Sequence, residues 1–492
     1  MHIVQLPAIQ RDDAVTPTDP NAIVSRVTRF VAAAGRDPWL VGYDANGIQE
    51  LIAASGRPIS MRGASEAILD FDKEVREGEL AIFAGGGRGV VLARSQEDAL
   101  LRARALVNRY RTITHGGVMA TCAVPLDRGG AAEAQSIRWL RHRLEIAKDA
   151  ALPPAGELPD AKDRECAYCR MYRGTRPCER EQQIELVCTR CNAMLEQGRS
   201  AGRRRGRRRG EMSLSIADIA TDGWIAVISA DGNNLGALFE SLGTLVELAV
   251  VSEAVAASFE NAQERALAGI PEDKRVPLLT GGDDVRAFIP PGYVLRYVST
   301  LVESVEAAAA DHARAAHSLI SREIAASLDR LGVGVGAVIA NVYYPAWRLV
   351  DYAHELERSA KAACREHKWR SGFDFAVVTA EDAMTSGSAG TLDARNNRPL
   401  PPCSRTWRDK LDAARALAGI PPAQIAMVFS APMDEAELGN LLCYQVARSK
   451  EWRAWYAACD VDWRDRTAVL KHRPTRDMLE LARLRAFEEI SR

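Results

Sequence analysis

The sequence predicts an α+β fold in which one βαββαβ unit is used twice. Three observations predict it. Short apolar runs alternate with helical stretches in the same order in both halves; a glycine turn falls at the same place in each half; an aspartate closes the first apolar run of each. Periodicity assigns each element in turn. In the first half, Trp39–Tyr43 reads as a strand, followed by a helix from Gly47 and a second helical stretch near Ala64–Val75. Strands Leu80–Phe83 and Gly89–Ala93 flank the glycine turn, and helix Gln96–Tyr110 and strand Val118–Val124 close the unit. The second half repeats the order: strand Ile225–Ser229, helix over most of Leu235–Ala266, and hairpin strands Val276–Leu279 and Val285–Ile289. A helix over Val294–Leu328 and a strand Val333–Ala340 complete it. The pattern is ferredoxin-like.

Laid on one another, VGYDANGIQELI matches VISADGNNLGALF, which sets Asp44 opposite Asp231. AIFAGGGRGVVLA matches PLLTGGDDVRAFI, so Gly87 and Arg88 take the places of Asp283 and Asp284. The first half keeps the turn and lacks the acid pair. The simplest reading of Gly85-Gly86-Gly87 is a tight hairpin turn.

Paired carboxylates beside a strand-end aspartate suit hard divalent cations, which prefer oxygen ligands. Two such ions about 4 Å apart can activate a hydroxyl and neutralise a leaving pyrophosphate. Asp231 and Asp283 are the first-choice ligands and catalytic residues, Asp284 is the third, and the Gly232 carbonyl completes the set. Gly281 and Gly282 let the backbone approach a triphosphate. Lys361 is a candidate phosphate contact, although a lone helix lysine is more often solvated. Gly-Gly-Asp-Asp alone is a weak signal, because these are ordinary turn residues; the flanking strands and the upstream aspartate strengthen it.

Between the halves, Cys166/Cys169 and Cys188/Cys191 form two CxxC pairs separated by 18 residues. That spacing predicts a closed, structural four-thiolate zinc site. Cys178 lies between the pairs as a spare, and Cys122 and Cys364 read as buried thiols. Next come Arg203, Arg204, Arg205, Arg207, Arg208 and Arg209. Such a run lacks an apolar face and should be flexible, either as a solvated linker or as a segment contacting RNA phosphates without sequence preference. Beyond 385, the stretch SGSAGTLDARNNRPLPP reads as a loop. Ser404–Leu417, Ala436–Trp455 and Thr475–Ile490 read as helices of a small bundle, anchored by Trp407, Trp452, Trp455 and Trp463. The expected divisions are 1–150 (degenerate unit), 151–210 (zinc ribbon and arginine-rich linker), 211–385 (catalytic unit) and 386–492 (helical).

The formal net charge of −1 gives no global attraction to polyanions. No apolar run approaches the roughly 20 residues of a membrane span. The first residues lack the charged start and apolar core of a signal peptide, so the cytoplasm is the expected location.

With these motifs in place, the chain resembles the large palm-domain subunit of type III CRISPR effector complexes. The resemblance rests on GIQELIAASGRPISMRGASEAILDF and IFAGGG in the first palm. In the second it rests on ADGNNLG, TGGDDVRAF and VGVGAVIANVYYPAWRLVDYAHELERSAKAA, and it covers about residues 36–380. It implies a Mg²⁺- or Mn²⁺-dependent nucleotidyltransferase joining ATP into cyclic oligoadenylate when target RNA is bound. It also implies membership of a crRNA-guided ribonucleoprotein, with a small helical subunit as partner. Asp231, Gly281, Gly282, Asp283 and Asp284 carry the motif. Two departures stand out. No histidine directly precedes an aspartate and the first palm begins near residue 36, so no HD nuclease is expected. The first acidic motif reads Asp231-Gly232-Asn233-Asn234, with an amide where an acid is common. Two other readings compete. One is a stand-alone GGDEF-like cyclase, disfavoured by Asp284 and Val285 in the turn and by the second palm in cis. The other is a catalytically idle RNA-binding scaffold, disfavoured by the retained acids.

Overall fold

The computed structural model describes residues 19–151 except 79, 164–204 except 181 and 182, and 216–378. In the C-terminal part it describes 401–402, 414, 416–417, 419–430, 435–472 and 481–482. In chain order the elements are α1 (Pro20–Ala33), β1 (Trp39–Asn46), α2 (Ile48–Ala53), α3 (Pro58–Arg76), β2 (Ala81–Gly85), β3 (Arg88–Ala93), α4 (Gln96–Ile113), β4 (Val118–Pro125) and α5 (Gly130–Ala150). A small module follows: β5 (Arg176–Arg180), β6 (Gln183–Val187) and α6 (Thr189–Arg204). The second half comprises α7 (Ile216–Ile219), β7 (Trp224–Gly232), α8 (Leu235–Ser241), α9 (Leu245–Ala268), β8 (Val276–Gly281), β9 (Asp284–Ile289), α10 (Val294–Ala316), α11 (Arg322–Asp329), β10 (Val333–Asn341), α12 (Ala346–His367) and β11 (Gly372–Val378).

The first sheet has the order β2-β3-β1-β4, all antiparallel. The second has the order β11-β10-β7-β9-β8, and its last four strands repeat the arrangement of the first sheet. The fifth, β11, pairs parallel to β10 and was not foreseen from the sequence. Its run GFDFAVV is buried at every position, so it lacks the alternation that marks a half-exposed strand.

Side chains alternate across the second sheet. Ala226, Ile228, Ala230, Val285, Ala287 and Ile289 join the core that holds α9 and α10. Val227, Phe288, Val338 and Ala340 join the core under α12. Leu40, Ile82 and Leu92 of the first sheet enter the former core, so the halves share apolar burial. Their helices are also exchanged: α3 lies against β8, and α9 lies against β2.

Four positions depart from the expected elements. Leu235–Ala266 is broken into α8 and α9, because Thr244 forms a capping box with Glu247. Val294–Leu328 is broken into α10 and α11 at Ser321, whose side chain accepts from the Ile324 N–H. Ala436–Trp455 is two helices, Glu435–Arg448 and Lys450–Ala458, with Ser449 capping the second. Arg203 and Arg204 are helical, as the end of α6, where a flexible run was expected. Arg205, Arg207, Arg208, Arg209, Trp407, most of Ser404–Leu417 and most of Thr475–Ile490 lie outside the described residues. Trp452 and Trp455 are buried, as expected of anchors, and Trp463 is partly buried between Arg453 and Arg464. Among the described residues no helix is long and apolar enough to cross a membrane.

Glycine spacing in β10 brings α12 close. A Cβ on Gly336 would lie 2.1 Å from the Ala353 carbonyl oxygen, and one on Gly334 would lie 2.3 Å from Lys361 Cγ. The alternating glycines thus clear one face of the strand for the helix. Gly336→Ala should therefore push α12 outward and lower unfolding stability by about 1–3 kcal/mol in urea melts, as overpacking does. A variant as stable as the parent would show that α12 is not tightly seated.

Candidate functional site

The site forms where two hairpin tips meet. In the first, Gly85 pairs with Arg88, and the two-residue loop has positive φ at both Gly86 (63°) and Gly87 (76°), as a mirror-image turn requires. In the second, Gly281 pairs with Asp284, and Gly282 (φ 67°) begins the loop that carries Asp283. The backbones touch: a Cβ on Gly86 would sit 3.2 Å from the Gly281 carbonyl oxygen, and one on Gly281 would sit 3.3 Å from Gly86 Cα.

That approach lets Arg88 cross between the halves, and its guanidinium donates to Asp283 Oδ1 at 2.6 Å. Asp231 stands opposite Gly334, one residue beyond the last β7–β9 pair, Ala230–Val285. Its Oδ2 accepts from Lys361 Nζ at 2.6 Å, and its carboxyl is within hydrogen-bonding reach of Asp283. The first half mirrors this arrangement. Asp44 stands opposite Arg88 and accepts from Lys148 Nζ of α5 at 3.0 Å. Gly232 ends β7, and a Cβ there would lie 2.2 Å from Leu235 Cδ1, so a side chain would have to displace Leu235.

The acids cannot all ionise together. Burial, then the charges of Asp283 and Asp284, push Asp231 up to about 9, against the pull of Lys361. Burial, then Asp283, raises Asp284 to about 6. Burial also opposes ionisation of Asp283, but the Arg88 charge and the hydrogen bond with Asp231 outweigh it and hold Asp283 below the usual carboxylate range. Gathering the three carboxyls thus disfavours ionisation of Asp231, and a divalent cation bound among them would offset that repulsion, so the donor set fits such an ion. Asp284 faces a cavity of about 40 Å³, lined also by Asp72, Arg76, Gly86, Glu260 and Gly282. Asn233 is turned to another task, donating to the Arg370 carbonyl at 2.9 Å.

Sequence reasoning missed three participants. Lys148 was legible by carrying the repeat one helix further, since it answers to Lys361. Arg88 was visible as a base in an acid's place, but its contact with the other half was not. Asp72 gave no signal. It is buried on α3, its Oδ2 accepts from the Gly87 N–H at 3.0 Å, and its Oδ1 has no hydrogen-bond partner.

Away from the hairpins, the sulfurs of Cys166, Cys169, Cys188 and Cys191 lie within 4.8 Å of one another. The Cys188 N–H points to Cys166 Sγ at 3.2 Å, and the Cys191 N–H to Cys188 Sγ at 3.4 Å. Such donors favour thiolates and suit a metal centre. Cys178 stands apart, 3.6 Å from the Tyr168 hydroxyl. Cys364 is buried as expected, while Cys122 is only half-buried.

Residues 224–368 match the family model for Cas10/Cmr2, second palm domain. This region is similar to a Cas10/Cmr2 second palm domain. The match agrees with the resemblance of its motifs to the large palm-domain type III subunits. It spans Asp231, the Gly281–Asp284 turn and Lys361. Solved structures share the fold over nearly the whole chain. A Csm1–Csm4 cassette in complex with AMPPNP superposes with a TM-score of 0.53 at 17% identity, covering 95% of this chain and 72% of that one. Csm1 in T. onnurineus gives 0.55 at 15%, covering 94% and 71%. A Csm1–Csm4 cassette in complex with cA4 gives 0.52 at 16%, covering 96% and 72%. No curated protein sequence matches the chain.

The buried Asp72 beside the hairpin tips gives the stability a pH dependence. Burial raises its carboxyl from 3.8 to about 7, against the Gly87 N–H. A folded-state value above the unfolded one means the native chain binds the extra proton. The stability this contributes is fully present below about pH 4 and is lost as pH rises towards 7. Asp72→Asn should therefore flatten the fall in melting temperature across that window relative to the parent. Parallel pH profiles would show that Asp72 does not carry the proton.

Proposed function

We propose that the chain is a metal-dependent nucleotidyltransferase that joins ATP 3′ to 5′ into cyclic oligoadenylate within an RNA-guided type III CRISPR complex. The observation that supports this reading most directly is the convergence of Asp231 and Asp283 at the meeting of two hairpins. It is supported further by the palm match and by the AMPPNP and cA4 named with structures of the same fold. On this reading residues 1–150 and 211–385 are two ferredoxin-like palms, one degenerate and one catalytic. Residues 151–210 are a zinc ribbon with a linker, and 386–492 are a helical domain. The arginine run contacts crRNA or target RNA, and the small helical subunit is the protein partner.

Asp231, Asp283, Asp284 and the Gly232 carbonyl would hold Mg²⁺ or Mn²⁺. Bound there, the ions supply charge neutralisation for an attacking 3′-hydroxyl and a leaving pyrophosphate. The protein's own contribution is positional. The glycines at Gly281 and Gly282 let the backbone approach a triphosphate closely. Lys361 and Lys148 orient the two strand-end aspartates. The two mirrored acid–lysine pairs offer places for two nucleotides, of which one stands beside the acid pair. Lys361 thus serves Asp231 first and a phosphate second.

Purified protein incubated with labelled ATP and Mg²⁺ or Mn²⁺, with and without guide complex and target RNA, should yield cyclic adenylate products. Asp283→Ala with Asp284→Ala should reduce them by about a thousandfold or more, as loss of metal ligands does. Cyclic di-GMP from GTP would indicate a cyclase instead, and RNA binding without any product would indicate a scaffold.

We assign zinc to the four cysteines. One equivalent per chain is expected by elemental analysis. Stripping it should loosen 164–204 to limited proteolysis, because a four-thiolate shell contributes folding energy directly. A chain with no bound zinc and unchanged protease resistance would reject the assignment.

A further inference from the structure

The mirrored halves leave one cation without a counterpart. Lys148 is paired with Asp44 and Lys361 with Asp231. Arg88 stands in the first half where the second has Asp284, and it is paired across the interface with Asp283. Asp44, Asp284 and Asp231 also lie close enough to act on its charge. Three fixed cations therefore face four carboxylates. A guanidinium does not lose its proton, so this charge can leave only by moving. The side chain is half exposed, so it can swing out towards solvent.

We propose that Arg88 is a tethered place-holder cation, which a divalent ion must displace from Asp283 before it can bind there. The inference rests on the reading of Asp231 and Asp283 as the divalent-ion ligands. A guanidinium in contact with one ligand repels an incoming ion and occupies the oxygen that ion needs. Its departure leaves Asp283 free and the seven-group cluster one charge more negative, which attracts the ion. The alternative role, in which Arg88 merely orients Asp283, predicts the opposite sign on removal.

The test is Mn²⁺ binding to the purified full chain without nucleotide, followed by the spin-resonance signal of free Mn²⁺. Parent and variants are measured at one pH, so that ligand ionisation is matched. Arg88→Gln should bind Mn²⁺ about tenfold or more tightly than the parent, as loss of a contacting like charge allows. Arg88→Lys, which keeps the charge, should stay near the parent. Thermal melts confirm folding, and Arg88→Met replaces the Gln variant if that one does not fold. Unchanged or weaker binding in the neutral variant overturns the proposal, provided that Asp283→Asn removes the parent's binding. If Asp283→Asn has no effect, or the parent binds no Mn²⁺, the metal-site reading itself falls and the proposal with it.

Discussion

The contact between two side-chain-free hairpin tips is the constraint on which the rest depends. With Gly86 against Gly281, the backbones approach so closely that a Cβ at either would force a shift of a few tenths of an ångström. At that separation Arg88 of one half reaches Asp283 of the other. The exchanged helices hold the approach in place, because α3 covers β8 while α9 covers β2. A shared apolar core drawn from both sheets then makes the halves hard to separate. The functional centre is thus an interface, although one chain builds all of it.

Electrostatics at that interface distinguishes it from an ordinary ion-pair network. A buried carboxylate is costly unless it is paired or protonated. Asp44 is paired with Lys148, Asp283 is paired with Arg88, and Asp231, paired with Lys361, is pushed towards protonation by burial and its acidic neighbours. Asp72, one layer below, is also pushed towards protonation while it holds the Gly87 N–H. Such crowding is costly, and the packed helices offset it; acids gathered in this way mark a candidate functional site.

The bracing of the site is again a matter of missing side chains. Glycines 334 and 336 seat α12 so that Lys361 lies over β10 and Glu357 meets Ser229 at 2.6 Å. The four-cysteine module is fastened in the same way. A Cβ on Gly63 of α3 would lie 1.8 Å from the Met194 carbonyl oxygen, and one on Gly198 of α6 would lie 2.0 Å from that of Ile59. Because α3 also carries Asp72, the module is linked through one helix to the Gly85–Gly87 turn.

The sequence by itself determined the repeat, the strand-end aspartates, the turn bearing Asp283 and Asp284, and the four converging cysteines. All of these are written in local pattern, since apolar periodicity, glycine turns and CxxC spacing act over a few residues. It was less informative where competing local signals share one pattern. Helical periodicity runs through Thr244, Ser321 and Ser449, so caps rather than hydrophobicity decided the breaks. A strand buried on both faces, such as β11, shows no alternation. Tertiary structure alone decided which atoms meet across the halves. The Arg88–Asp283 pair, the Asp44–Lys148 counterpart and the hold of Asp72 on Gly87 join positions 15 to 195 residues apart. Such contacts depend on how two sheets and their exchanged helices pack, and no short stretch of chain encodes that packing.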